Sequence, residues 1–172
     1  MENLDFKKTL FKTAFCLMAC DGNIDDLEIE EMKKIDKNTS YFKNVDLNSE
    51  LDKLIEDVKK KGKLLVLDLF QTLRTTKYTI VQELLILEVA IRIINADNKV
   101  DENEIKFLNL LRSKLEVDNE ILKDRFGNIP HLRNMNYSKI SDDLDDSRKD
   151  FVLNIKLPEI SDMESIDLKE TK

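Results

Sequence analysis

An all-α bundle is the fold this chain predicts, on three observations. Only 3 Gly and 2 Pro occur in 172 residues, too few turn formers for a sandwich, a barrel or a glycine-looped nucleotide fold. Apolar residues recur at three- and four-residue spacing over most of the chain up to Phe126. A helix–loop–helix stretch also repeats itself 76 residues further on.

The first helix is expected over Leu4 to Ala19, with Phe6, Leu10, Phe11, Ala14, Phe15, Leu17 and Met18 at helical spacing. It ends at Asp21-Gly22, where glycine can take the left-handed conformation that closes a helix. A second helix opens at Asp25 with Ile29, Met32 and Ile35 on one stripe. Residues 37–47 are polar and irregular, with Tyr41 and Phe42 as an aromatic plug for the core. A third helix runs from about Asn48 to Lys61, ends at Gly62 and turns Leu51, Leu54, Ile55 and Val58 inward. Leu64 to Leu73 reads as a buried helix, with a strand as the weaker alternative. Thr79 to Ala96 is apolar nearly all round, as a central helix covered on several sides would be. Asp101 to Leu115 and Asn119 to Phe126 complete the series.

After Gly127 the character changes, which divides the chain into a helical domain, 1–127, and an acidic tail or docking segment, 128–172. Ile129-Pro130-His131 breaks the helical period. From Ser141 to Lys172 there are 10 acidic and 5 basic residues, so most of the net charge of -7 sits there. One apolar burst interrupts it. Phe151, Leu153, Ile155 and Leu157 alternate, which reads as a short strand or as a peptide that docks a protein partner.

The repeat aligns Leu10–Ile35 on Ile86–Leu111 without a gap. The identities are Ala14/Ala90, Asp21/Asp97, Asp25/Asp101, Glu28/Glu104 and Ile29/Ile105, and four of these five fall in or beside one short loop. Gly22 aligns with Asn98, the two residue types that best tolerate positive φ, so the loops should share a backbone shape. Asp25 and Asp101 are placed as N-caps, each worth ~1 kcal/mol. Glu28 and Glu104, three residues on, can reach back as an acidic capping box. Ile24 and Ile29, like Val100 and Ile105, have the spacing of a hydrophobic staple.

Asp21 and Asp97 stand apart from this account. Each lies at the C-terminal end of a helix, where the dipole disfavours an anion by ~0.3–1 kcal/mol. Two readings stay open. Either these aspartates bond the amides that follow them in a turn, or a cation or basic partner meets the crowded charge. An EF-hand is excluded, because its first and third ligand positions would be Leu17 and Ala19, or Ile93 and Asn95. Calcium needs six to eight oxygens, and leucine, isoleucine and alanine side chains supply none.

The segments Ala19-Cys-Asp-Gly-Asn-Ile-Asp-Asp-Leu-Glu28 and Asn95-Ala-Asp-Asn-Lys-Val-Asp-Glu-Asn-Glu104 resemble the hallmark loop of the TerB-like family. That family includes the tellurite-resistance protein TerB and the N-terminal domain of DjlA-type co-chaperones. The resemblance covers about Asn3 to Phe126. It implies a compact, pseudo-symmetric bundle of about seven helices with both acidic loops on one face. It further implies a role in stress, tellurite-resistance or defence systems, and loops that bind a divalent cation, calcium among the candidates. Asp21, Asp25, Glu28, Asp97, Asp101 and Glu104 would carry that binding. Lys99 departs from the pattern and favours the first loop over the second for a metal.

Other features point to bland roles. His131 follows a proline and lacks a partner motif. Cys16 and Cys20 lie one helical turn apart without further Cys or His to complete a tetrahedral site, so they read as core thiols. Lys59, Lys60 and Lys61 suit the negative end of a helix. A net charge of -7 and a pI near 4.9 argue against nucleic acid. No apolar run approaches the ~18 residues of a membrane span, and the start lacks the pattern of a signal peptide. No nucleophile or acid–base pair is evident. The sequence therefore predicts a cytoplasmic, non-enzymatic module that binds a divalent cation or a basic partner, with no small-molecule substrate. The alternative is a metal-free protein-interaction adaptor that works through its tail.

Overall fold

The computed structural model describes residues 3–99, 101–129, 132 and 151–169. Its helices are α1 (Leu4–Ala19), α2 (Asp26–Asn38), α3 (Leu47–Lys61), α4 (Leu64–Thr75), α5 (Ile80–Ile94), α6 (Glu102–Ser113), α7 (Asn119–Phe126) and α8 (Ile160–Glu164). Residues 151–154 are also helical, and no strand occurs among the described residues. Their starts are written in the chain. Asn3, Asp25, Asp46, Thr79 and Asp101 each accept a bond from a first-turn amide, opening α1, α2, α3, α5 and α6. At α5 Gln82 also reaches back to the Thr79 amide, completing a capping box.

The most extensive helix pair is α1 with α5, the first helices of the two repeats. α2 packs on α5, and α6 packs on both α1 and α5. Each repeat thus closes over the other's central helix. α5 buries Ile86, Leu87, Val89, Ala90, Ile93 and Ile94, with Leu84, Leu85 and Ile91 half-covered, as its near-continuous apolar sequence requires. α3 and α4 pack on each other and on α1. The aromatic plug is present: Phe42 is buried edge-on against Phe11 at 6.1 Å, and the Tyr41 hydroxyl donates to Glu88.

The end of the helical body is held by a buried cation. Arg112 of α6 donates to Val117 O at 2.6 Å, Asn119 Oδ1 at 2.9 Å and Leu115 O at 3.4 Å, which ties the start of α7 to the end of α6. Across from it, buried Glu83 accepts the Glu116 amide through both oxygens at 2.8 and 3.1 Å. Nothing in the periodicity marked these charges as interior.

The strand reading of the apolar burst is corrected. In a helical turn, Phe151, Val152 and Ile155 share the inner face, while Leu153 is 73% exposed and Leu157 half-buried. A seven-residue run fits either period. The receiving surface decides: Phe151 stacks edge-on against Phe107 at 6.3 Å, and Phe107 lies 5.2 Å from Phe70. Met163 and Leu168 are buried as well, and α8 packs on α3. The described part of the tail therefore folds back onto the helical body and joins its core.

Candidate functional site

Each repeat turns from one helix to the next through an acidic loop, and both turns have the expected geometry. Gly22 has φ 87° and Asn98 has φ 58°, the left-handed shape shared by the two copies. Asp25 Oδ1 accepts the Leu27 amide at 2.7 Å, and Asp101 Oδ1 accepts the Asn103 amide at 2.7 Å. Glu28 Oε2 accepts the Asp25 amide at 3.1 Å and completes a capping box. In the second copy Glu104 holds the equivalent third position of α6. Leu17 and Ile93, at the would-be first ligand position of an EF-hand, are core residues.

Asp21 Oδ1 accepts the Asn23 amide at 3.0 Å, and Asp97 Oδ1 accepts the Lys99 amide at 2.9 Å. Both aspartates therefore make the local turn bond that was one of their two readings. The turn bond fixes their position; it does not disperse the charge around them.

That charge is shared between the loops, which meet in space. Asn103 Nδ2 of the second repeat donates to Cys20 O of the first at 3.3 Å. Glu28 and Glu104 are each only 2% exposed. Burial pushes the Glu28 carboxyl up to about 9, against the pull of the Asp25 amide, with Glu104, Asp21 and Asp97 adding repulsion. Glu104 is pushed up to about 8 by burial and by Asp21, Asp97 and Asp101, with the nearby Asp101 amide offsetting this in part. Asp21 is raised by burial, and by Asp101 and Asp97 of the other loop, while its bond from Asn23 lowers it. Glu104 Oε2 is buried without a hydrogen-bond partner among the described residues. A polar atom in that condition costs ~1–3 kcal/mol and favours a ligand or a proton. The carboxylate oxygens suit a hard cation. However, no three of them are drawn to a single ion position among the described residues.

The family model for tellurite resistance protein TerB matches residues 10–124, more than half of the chain and both loops. The chain belongs to the TerB family. It is a module of the tellurite-resistance type. No curated protein and no solved structure matches it.

Within this TerB domain the remaining candidates separate clearly. Cys16 and Cys20 are buried thiols. Burial raises Cys16 to about 12 and also raises Cys20, where Asp21, Glu104 and Asp101 add to it. Lys59 pairs with Glu56 at 3.0 Å and Glu164 at 3.3 Å, and Lys61 pairs with Asp68 at 2.9 Å, so these two lysines of the run are engaged within the chain. Lys99 is exposed. His131 lies outside the described residues. Of the proposed docking residues, Phe151 and Ile155 are buried against the protein's own core, Leu157 is half-buried and Leu153 is exposed. No helix among the described residues is long and apolar enough to cross a membrane.

Proposed function

We propose that this TerB domain is a non-enzymatic module that takes up a divalent cation between its two acidic loops. The observation that carries this reading is the meeting of carboxylates from both repeats around a buried glutamate, Glu104, with an unpartnered oxygen. Asp21 and Asp97 line the site at the turn, Glu28 and Glu104 form its floor, and Asp25 and Asp101 divide their oxygens between capping and the site. A 2+ charge placed there reverses the repulsion that now raises the glutamates, so binding displaces protons from them. Because the aspartates keep their turn bonds, the affinity is modest, as in an ion-responsive switch. The same charge would receive a basic side chain of a partner, but the unpartnered oxygen at the buried floor favours a small ion.

Calorimetric titration with calcium, magnesium and zinc tests this on wild type and on the Asp21→Asn/Asp97→Asn double variant. Saturable heat in the wild type, weakened at least ~10-fold in the variant, supports it. Absence of heat with all three ions removes the cation and leaves a basic partner at the acidic loops as the better reading.

A further inference from the structure

The two loops share a backbone but differ in what passes over them. At Gly22 a Cβ would stand 3.1 Å from Lys156 O and 3.7 and 3.8 Å from the Lys156 Cβ and Cγ. Residues 151–169 therefore form a strap that crosses the first loop at close range. Asn98, in the same left-handed position of the second loop, carries a side chain and is exposed. Both residue types accept this conformation, so clearance for the strap is what glycine adds in the first copy.

The helical body holds the strap largely by its main chain. Lys63 Nζ donates to Leu153 O at 3.1 Å, Asn48 Oδ1 accepts the Leu168 amide at 2.8 Å, and Gly22 leaves room for Lys156 O. None of these three contacts depends on which side chain the strap carries there. Side chains are read at fewer points. Phe151, Val152 and Ile155 turn inward from one helical turn, with Phe151 edge-on to Phe107, while Leu153 is exposed. Further on, Met163 and Leu168 are buried. The seat is not fully packed. A cleft of about 560 Å³ stays open between residues 158–167 of the strap and residues 23–33 of the first loop and α2. Gly22, Asn48, Lys63 and Phe107 all belong to the TerB domain, and the strap follows it in the chain.

A surface that grips a backbone at three points and selects a few apolar side chains has the general form of a peptide-binding groove. The strap also displays what the groove selects. Two adjacent apolar residues and a third one turn later face inward. A basic residue comes next, since Lys156 lays its stem against Gly22, beside Asp21 in the chain. We propose that this face of the TerB domain is a docking groove for an amphipathic, basic segment of a protein partner, and that the strap is its built-in competitor. A tethered segment competes at an effective concentration on the order of mM, so the partner gains access when the strap lifts. The inference is independent of the cation reading, because it needs no ion between the loops.

The experiment measures binding of a fluorescein-labelled peptide of residues 151–169 to the full chain by anisotropy, with limited proteolysis of the tail in parallel. Phe151→Ala/Ile155→Ala loosens the strap and leaves the groove untouched. That variant should keep its helical content, lose protection of its tail and bind the peptide about 10-fold or more tighter than the wild type, whose groove is occupied. Met163→Ala/Leu168→Ala loosens the other half of the strap and serves if the first pair fails to fold. A peptide carrying Lys156→Glu should bind the loosened chain about 3-fold more weakly. A released tail with no peptide binding, equal binding by wild type and loosened chain, or a tail that stays protected in both variants overturns the proposal. Equal binding of the two peptides overturns the basic chemistry assigned to the partner.

Discussion

Glu28 and Glu104 stand 76 positions apart, yet each is the third residue of its helix, each is 2% exposed, and the charge of Glu104 raises Glu28. A residue that began as a capping device has become half of a buried acidic pair. The consequences are measurable.

Stability should fall as pH rises. Folded-state values of about 9 for Glu28 and about 8 for Glu104 lie above the ordinary 4.5. The native state therefore holds protons that the unfolded chain releases. Their contribution is fully present below about pH 4.5 and is lost as pH climbs through 8 and 9. Urea unfolding of metal-free protein at pH 5, 7 and 9 should show this, and Glu28→Gln/Glu104→Gln should lose much of the slope. An equal slope in wild type and variant contradicts the pair's role.

Cation binding should strengthen over the same interval. Ions and protons compete for the two glutamates, so calcium affinity should be higher at pH 8.5 than at pH 6. Titration in two buffers of different ionisation enthalpy should reveal proton release. Identical heats in both buffers would show that the glutamates are not displaced.

Arg112 should be the most sensitive charged residue. Its guanidinium serves Val117 O, Leu115 O and Asn119 Oδ1 from the interior, facing buried Glu83. Arg112→Leu removes these buried bonds and the cation that faces Glu83, at a cost on the order of 3 kcal/mol. Thermal unfolding measures it, and a change below ~1 kcal/mol would place the guanidinium elsewhere.

The tail should divide residue by residue. Phe151→Ala removes a buried ring, worth ~3–5 kcal/mol where the site cannot relax. Detachment of the tail caps that loss, so the sharper readout is protease cleavage within 151–169. Leu153→Ala, on an exposed side chain, should change stability by less than ~0.5 kcal/mol. Equal protease sensitivity of the two variants would contradict the docked geometry.

How far the chain announces this structure depends on which forces are local. The caps at Asp25, Asp101 and Thr79, the stop at Gly62 and the matched turn of Gly22 and Asn98 follow from neighbouring residues, and the expected helices sit within a few positions of the observed ones. The turn bonds of Asp21 and Asp97 were local too, and stood as one of two readings. The inward turn of Phe151 was not local. It depends on Phe107 lying 44 positions earlier, and alternation in a short apolar run carries no trace of that surface. Glu83 and Arg112 were silent for the same reason, since a charged residue reveals its burial only through distant partners. The meeting of the two loops was legible from the repeat only as a possibility. The bond from Asn103 to Cys20 is what joins them.

The pairing of α1 with α5 bears on how the protein is made. During synthesis the first helix emerges long before its main companion, which begins at Ile80. Until then α1 lacks the surface that α5 supplies. Such long-range closure slows folding and leaves apolar surface open to aggregation in the interval. Truncated products ending before α5 should therefore be clients for chaperones and proteases, while the finished chain is not.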